Sequence, residues 1–202
     1  MSVRKTVVFD LGYVLVDLDW SRAVNRLSGV TAIPREEIIP RVVADPILEA
    51  YETGRAPTEA FLNGVRELLQ VTLSRDELAD IWTGVFVRNP IMETLFQETA
   101  IRTNVAILSD TNPLHWNYLR SLIPVVRKTE RAVVSHELGS RKPSLRNYQE
   151  VAARCEAQPA DCLFLDDKDE NVIGAQLAGM SAFRFTTPDE ARRRIDRFLS
   201  ES

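Results

Sequence analysis

Asp10, Asp110 and the pair Asp166 and Asp167 each stand at the end of a short apolar run. A single carboxylate in such a place has an ordinary explanation, because it can cap a turn or favour the start of a helix. Three such positions brought together would repel one another, and a divalent cation removes that repulsion. Carboxylate oxygens, with waters and a substrate phosphate, are typical ligands of Mg²⁺. If the three runs are neighbouring strands, the sequence predicts a magnesium site.

The apolar runs are short and continuous, which is typical of strands buried on both faces of a parallel sheet. Strands are predicted at 6–9, 104–108, 132–134, 162–165 and 181–185, and helices at 89–103, from 113, 143–155, 171–178 and from 188. This alternation predicts an α/β fold with a Rossmann-like, doubly wound and mostly parallel sheet. Ligands bind beyond the carboxyl ends of the strands in such sheets, so the acidic positions should meet at one edge.

The segment 18–88 differs from the rest of the chain, because it shows no strand-like run. Helices are predicted in it at 21–27, 34–43, 47–52, 57–69 and 74–82. An all-helical block inserted after the first strand is expected to form a cap over the carboxyl edge of the sheet. The predicted domains are therefore an α/β core of 1–17 and 89–202 and a helical cap of 18–88.

Some helix ends carry recognisable signals. Pro143 is expected in the first turn of its helix, where a missing N–H costs nothing. Ser74 with Glu77, and Thr187 with Glu190, have the spacing of capping boxes. These signals fix the start of three predicted helices.

Composition excludes several classes of function. The 202 residues carry a net charge of −4, whereas binding to a nucleic-acid backbone needs a basic face, so no nucleic-acid partner is expected. Cys155 and Cys162 are too few and too close for a disulfide scaffold, which favours a reducing compartment. The apolar run before Asp10 is too short for a signal peptide or a membrane span. We expect a cytoplasmic protein without a membrane partner, either a monomer or a homodimer.

Four segments resemble the motifs of the haloacid dehalogenase superfamily of hydrolases. They are Phe9-Asp10-Leu11-Gly12, Leu108-Ser109-Asp110-Thr111-Asn112, Gly139-Ser140-Arg141-Lys142-Pro143 and the segment that begins Phe164-Leu165-Asp166-Asp167. All four occur in order at suitable spacing and span most of the predicted core. The helical insertion after the first motif is similar to the first cap class of this superfamily. The resemblance is greatest to small bacterial sugar-phosphate phosphatases, such as those acting on α-D-glucose 1-phosphate, whose first motif reads Asp-Leu-Gly.

This resemblance implies catalytic and metal-binding roles. Asp10 is expected to be the nucleophile that forms a phospho-aspartate, which water then cleaves. Mg²⁺ is expected to bind Asp10, the backbone carbonyl of Gly12 and Asp167, with Asp166 in contact directly or through water. Asn171 is expected to orient the acidic loop. The implied activity is magnesium-dependent hydrolysis of the phosphomonoester of a small phosphorylated metabolite.

The resemblance also implies how the substrate is held. Ser109 and the residues after it, Asp110, Thr111 and Asn112, are expected to bind the phosphate. Lys142 is expected to place a positive charge beside both the nucleophile and the phosphate, which makes it both a catalytic and a substrate-binding residue. Pocket walls in the cap carry no motif, and Tyr13, Trp20, Arg41 and Trp116 are the candidates for them.

The sequence departs from the superfamily pattern at Gly12, where most of these phosphatases have a second aspartate that acts as general acid and base. Such a group contributes a factor of about 10²–10⁴ to the rate. Either another residue replaces it, with Asp17, Asp19 and His115 as candidates, or the leaving group needs little help, as in a sugar 1-phosphate.

Two other functions stay open. A 2-haloacid dehalogenase also uses an aspartate nucleophile and lacks the second aspartate, but it needs no metal, which leaves the Asp166-Asp167 pair unexplained. A catalytically idle phosphate-binding protein is the second alternative, and the presence of Asp10, Ser109 and Lys142 argues against it.

Overall fold

A five-stranded parallel sheet forms the centre of the protein in a computed structural model that describes residues 5–201. The strands of the described chain are β1 (Thr6–Phe9), β2 (Val16–Leu18), β3 (Phe86–Arg88), β4 (Asn104–Ser109), β5 (Ala132–Val134), β6 (Cys162–Asp166) and β7 (Ser181–Arg184). The order in the large sheet is β5-β4-β1-β6-β7. β1 lies in the middle, with Phe9 opposite Ile107 of β4 and Leu165 of β6. The carboxyl ends of these three strands are therefore neighbours, as predicted.

Helices cover both faces of this sheet. The helices are α1 (Trp20–Leu27), α2 (Ile38–Ala44), α3 (Pro46–Glu52), α4 (Thr58–Leu68), α5 (Arg75–Thr83), α6 (Pro90–Arg102), α7 (Pro113–Leu122), α8 (Pro124–Lys128), α9 (Ser135–Leu138), α10 (Leu145–Arg154), α11 (Asp169–Leu177) and α12 (Pro188–Ser200). Val7 and Phe9 belong to the core on the α6 and α12 face, and Val8 belongs to the core on the α10 and α11 face. Because successive residues of a strand face opposite ways, burial on both faces explains the continuous apolar runs. The predicted doubly wound α/β fold is confirmed.

Helices α1–α5 lie between β2 and β3, which pair antiparallel with Leu18 opposite Phe86. The prediction that 18–88 contains no strand is wrong at both of its ends. Strands of three residues are too short to show an alternating pattern, and the pairing joins residues that are far apart in the chain. We keep the term cap for residues 18–88. Among the described helices, none has the length and apolar character that a crossing of a bilayer requires.

The predicted helix starts hold in part. The capping box of α5 is complete, since Glu77 N donates to Ser74 Oγ at 3.3 Å and Ser74 N donates to the Glu77 carboxylate at 2.8 Å. At α12, Glu190 N donates to Thr187 Oγ1, but the Glu190 carboxylate accepts from Thr186 instead of completing the box. Pro143 precedes α10, which begins at Leu145, so its predicted place inside the first turn is wrong.

The side chains of α6 that pack on the sheet should contribute more to the free energy of unfolding than those that face solvent. Phe96 is buried, with its ring 4.9 Å from that of Phe9, whereas Ile101 on the same helix is 82% exposed. We expect Phe96→Ala to lower the free energy of unfolding by about 3–5 kcal/mol, because it leaves a cavity in the core. Ile101→Ala should change it by less than about 0.5 kcal/mol. Urea unfolding followed by circular dichroism measures both, and equal losses would contradict this packing.

Candidate active site

The carboxyl ends of β1, β4 and β6 place Asp10, Ser109 and Asp166 side by side. Asp10 continues the β1 ladder, because its N–H donates to the carbonyl of Leu165 at 3.0 Å. Ser109 ends β4 and Asp166 ends β6, and all three side chains are buried. One carboxylate oxygen from each of Asp10, Asp166 and Asp167 lies within 4.8 Å of the others. The convergence predicted from the strand ends is present in the structure.

The ammonium of Lys142 joins two of these carboxylates. Its Nζ lies 2.8 Å from Asp10 Oδ1 and 2.6 Å from Asp166 Oδ2, and it donates to the carbonyl of Leu108 at 3.3 Å. Burial alone would lower the pKa of Lys142, but Asp10, Asp166 and Asp110 outweigh it and hold that pKa above its ordinary value. Burial raises the pKa of Asp10 to about 7, although Lys142 opposes the rise. Lys142 is therefore a fixed positive charge beside the candidate nucleophile.

Asp166 and Asp167 have different surroundings despite being neighbours. Asp166 is fully buried, and its Oδ1 accepts hydrogen bonds from Lys168 N and Asn171 Nδ2, both at 2.9 Å. Asp167 is half-buried at the mouth of the site, where burial and the nearby Asp166 raise its pKa. Asp166 is thus held by fixed donors, while Asp167 is the more open of the two carboxylates.

The charges of this cluster fit a divalent cation. The cluster sets three carboxyl groups against the single ammonium of Lys142, so a divalent cation would offset the negative charge of their ionised forms. Carboxylate oxygens are the hard ligands that Mg²⁺ prefers. Asp10, Asp166 and Asp167 would hold such an ion, and Gly12 lies beside them. The donor set therefore matches the magnesium site that the sequence predicts.

Ser109 and Thr111 of the second motif contribute to the site in different ways. Ser109 borders the carboxylates, and its hydroxyl makes only a long contact of 3.5 Å with the carbonyl of Asp110. It is therefore well placed to bind an oxygen of the phosphate. Thr111 is anchored through its backbone, which donates to and accepts from the hydroxyl of Ser135, both at 2.9 Å. This anchoring holds the loop after β4 in place.

The side chains of Asn112 and Asp110, two residues of the second motif, have partners within the protein. Asn112 is buried and caps α7, accepting from His115 N at 3.0 Å through Oδ1 and contacting His115 Nδ1 through Nδ2. Asp110 Oδ1 accepts from the backbone N–H of Lys142 at 3.0 Å, and Oδ2 lies 3.7 Å from Arg141 Nε. A carboxylate can only accept hydrogen bonds and repels phosphate oxygens. We therefore infer that these two side chains shape the site, while the expectation that Asp110 and Asn112 bind the phosphate through their backbone N–H groups stays a prediction.

Two adjoining cavities open at this edge of the sheet. The smaller, here called the phosphate cavity, has a volume of about 180 Å³ and contains Asp10, Lys142 and Asp167. The larger, the cap cavity, has a volume of about 440 Å³ and lies between cap and core. Their shared walls are Gly12, Leu18, Trp20, Ser109, Asp110 and Lys168. A phosphate bound beside Asp10 would thus extend its leaving group into the cap cavity.

The candidates for pocket walls are only partly correct. Trp20 lines both cavities and Tyr13 lines the phosphate cavity. Arg41 is exposed and pairs with Glu37 at 2.6 Å, and Trp116 is packed into the core. Residues of α3, which carries no recognisable motif, also line the cap cavity, including Glu52.

Several known proteins are similar to this chain over most of its length. The phosphatase MT3486 of Mycobacterium tuberculosis is 30% identical over 218 residues, which span 99% of this chain and 95% of that protein. The sesquiterpene phosphatase astK of Aspergillus oryzae is 44% identical over 187 residues, 90% of each chain. The HAD family enzyme BT-2542 of Bacteroides thetaiotaomicron, solved with magnesium and inorganic phosphate, has 24% identity, covers 91% of this chain and 94% of its own, and has a TM-score of 0.80. No model of a known protein family matches the sequence.

This chain belongs to the haloacid dehalogenase (HAD) superfamily. Similarity over nearly the whole length of curated phosphatases makes it a phosphatase of that superfamily. The superfamily predicted from the four motifs is thereby confirmed. The fold of BT-2542 is shared, and at its level of identity the likeness concerns the fold alone.

None of the expected substitutes for the missing carboxylate at Gly12 fits well in this HAD phosphatase. His115 Nε2 donates to the carbonyl of Trp82 at 3.0 Å, and burial lowers the pKa of His115 to about 4, so the ring is neutral. Asp19 is exposed and caps α1 by accepting from Ser21 N. Asp17 is an exposed residue of β2.

Helix α11 packs very closely against the segment before α10, which carries Lys142. A Cβ added to Gly174 would lie 2.7 Å from Pro143 Cβ and 2.8 Å from Tyr148 Oη. Tyr148 in turn donates to the carbonyl of Asn171 at 2.8 Å. Glycine at 174 therefore lets α11, with Asn171, pack directly against the residue that follows Lys142.

The buried ammonium of Lys142 should contribute most to the stability of the fold at high pH. The folded pKa of Asp10, about 7, lies above its ordinary value of 3.8, so the protein loses stability as pH rises between these values. Lys142→Met removes the cation, raises that pKa further and extends the loss to higher pH. We expect the variant to be less stable by about 3–5 kcal/mol at pH 8 and by less at pH 5.

Urea unfolding in EDTA at the two pH values measures this difference, with the exposed Lys128→Met as the matched control. A loss that is the same at pH 5 and pH 8 would contradict the assignment of Lys142 as the counter-charge.

Proposed function

We propose that this HAD phosphatase hydrolyses phosphomonoesters with the help of Mg²⁺ and through an aspartyl-phosphate on Asp10. The observation that carries the proposal is the buried cluster in which Lys142 contacts Asp10 at 2.8 Å, with Asp166 and Asp167 within reach of the same point. An aspartate beside a fixed cation can act as a nucleophile in a site that also attracts the anionic phosphate.

Each residue has a defined task in this reaction. The Asp10 carboxylate attacks phosphorus, and the bond from phosphorus to the leaving oxygen breaks. Ser109 binds a phosphate oxygen, and Lys142 offsets the negative charge that the nucleophile and the phosphate bring together. Water then attacks the phosphorus of the phospho-aspartate, releasing phosphate and the Asp10 carboxylate. Mg²⁺, when held by Asp10, Asp166 or Asp167, would neutralise charge on the transferring phosphoryl group.

The relatives support this chemistry. BT-2542, which shares the fold, was solved with magnesium and inorganic phosphate, and MT3486 is a phosphatase. A metal-free dehalogenase would have no use for the half-buried Asp167 beside Asp166. The cation identity proposed for this chain rests on the three carboxylates and on that likeness.

The substrate is proposed to carry one phosphate. The acidic side chains of the cap cavity outnumber its two basic ones, Arg141 and Lys168, which disfavours a second phosphate; they are Asp45, Glu49, Glu52 and Asp110. Trp20 offers a flat apolar surface. A sugar 1-phosphate fits, because its face can pack on an indole ring and its hydroxyls can donate to carboxylates. The relative astK is a sesquiterpene phosphatase, so phosphates of apolar alcohols belong in the same substrate panel.

The nucleophile is tested directly by Asp10→Asn. We expect loss of p-nitrophenyl phosphate hydrolysis by about 10³-fold or more, because the amide cannot attack phosphorus. Circular dichroism should remain that of the parent, and the exposed Asp76→Asn serves as the matched control. A folded Asp10→Asn protein that retains magnesium-dependent activity would refute the assignment.

The same assay separates the alternative functions. A phosphatase of the proposed kind releases phosphate only when Mg²⁺ is added. Release of halide from a 2-haloacid in EDTA, without phosphatase activity, would establish a dehalogenase, and no turnover of either substrate would indicate an idle protein.

The two neighbouring carboxylates should differ in their effect on magnesium. Asp167→Asn is expected to raise the Mg²⁺ concentration needed for half-maximal activity by about tenfold or more, because it removes the open candidate ligand. Asp166→Asn should shift this concentration less and lower stability more, since Asp166 holds Lys142 and Asn171. A magnesium titration and a thermal melt of each variant measure the two effects, and the reverse order in the titration would exchange the roles.

A further inference from the structure

Glu52, the last residue of α3, brings a carboxylate from the cap to the border of the site. Its side chain is only 16% exposed and lies 3.4 Å from Nε of Arg141, which directly precedes Lys142. Glu52 lines the cap cavity together with Gly12 and Ser109, the residues that also border the phosphate cavity. It therefore faces the space that a leaving group attached to the bound phosphate would occupy.

A tight contact between cap and core fixes this position. Gly54, two residues after Glu52, has a φ of +69°, and an added Cβ would lie 2.2 Å from the carbonyl oxygen of His136 in α9. Only glycine allows this approach. The turn that follows α3 is thereby seated on the core, and Glu52 is held at the edge of the sheet.

The other carboxylates that α3 brings to the cap cavity have other tasks. Asp45 caps α3, because it accepts from Ile47 N at 2.9 Å. Glu49 pairs with Arg55 at 2.7 Å, and its side chain is 62% exposed. Glu52 is less exposed than Glu49 and contacts the core segment that carries Lys142.

The charges that face Glu52 come from several elements. Arg141, Asp110 and Lys168 approach from the core and Glu49 from its own helix, while the ring of His136 is turned toward the carbonyl of Thr111. Burial raises the pKa of Glu52 and Asp110 adds to the rise, whereas Arg141 and Lys168 oppose it. A carboxyl with a raised pKa keeps more of its proton near neutral pH, as a general acid requires.

We propose that Glu52 is the general acid and base of this phosphatase and replaces the carboxylate that is absent at Gly12. This inference rests on the proposed function. In the first step Glu52 gives its proton to the leaving oxygen as the bond from phosphorus to that oxygen breaks and Asp10 becomes phosphorylated. In the second step the Glu52 carboxylate takes a proton from the water that attacks phosphorus, which releases phosphate and restores both carboxyl groups.

The test compares leaving groups of increasing basicity: p-nitrophenyl, phenyl and benzyl phosphate. Glu52→Gln should lower kcat/KM for benzyl phosphate by about 10²–10⁴-fold and kcat/KM for p-nitrophenyl phosphate far less, because protonation helps the most basic leaving groups most. The kcat for p-nitrophenyl phosphate should fall as well, because Glu52 also activates the water that cleaves the phospho-aspartate. The fall in kcat/KM for benzyl phosphate at high pH should disappear in the variant. Glu67→Gln, an exposed residue of α4 that lines neither cavity, is the matched control.

A second variant tests the replacement itself. Gly12 does not have a positive φ, and an added Cβ would meet only the Leu18 side chain at 3.3 Å, so Gly12→Asp should fold. In the Glu52→Gln background, Gly12→Asp should restore hydrolysis of benzyl phosphate selectively.

The proposal is overturned if Glu52→Gln lowers kcat/KM for all three substrates equally, changes KM alone, or leaves the dependence of kcat/KM on the leaving group and on pH unchanged. These outcomes differ from a failure of the proposed function, which would show as magnesium-dependent activity in Asp10→Asn whatever residue stands at 52.

Discussion

The contact of one buried ammonium with two buried carboxylates is the interaction on which the site depends. Parallel pairing of β1 with β6 forces Asp10 and Asp166 to end side by side, with little water to screen them. Lys142 lies within 2.8 Å of one and 2.6 Å of the other. A buried charge without its partner costs several kcal/mol, so this arrangement persists only because all of its members are present.

Helix α11 and the cap lie on either side of this cluster of charges. Gly174 lets α11 approach the segment after Lys142, and Asn171 on that helix holds Asp166. The excess negative charge left by Asp167 provides the place for a divalent cation. On the other side, the cap closes a cavity over the proposed phosphate position, and the residues proposed to supply specificity and proton transfer lie there, outside the sheet.

The sequence predicts most of the core because its signals are local. Continuous apolar runs reflect strands buried on both faces, and the residues after them follow from strand direction. The antiparallel pairing of β2 with β3 and the capping role of Asn112 escape prediction, because they depend on pairing and orientation that single residues do not reveal. Glu52 is the extreme case: its place in the site depends on a turn at Gly54 that rests on His136, more than 80 residues away along the chain.

The covalent step on Asp10 is the central claim, and the stereochemistry of phosphoryl transfer tests it most directly. A phosphomonoester made chiral with the three isotopes of oxygen is incubated with the protein and an acceptor alcohol, and the configuration at phosphorus is compared between the substrate and the new phosphate ester. Two successive in-line displacements, first by the Asp10 carboxylate and then by the acceptor, give net retention of configuration, which is the predicted result. Inversion would mean a single direct displacement and would contradict the aspartyl-phosphate mechanism.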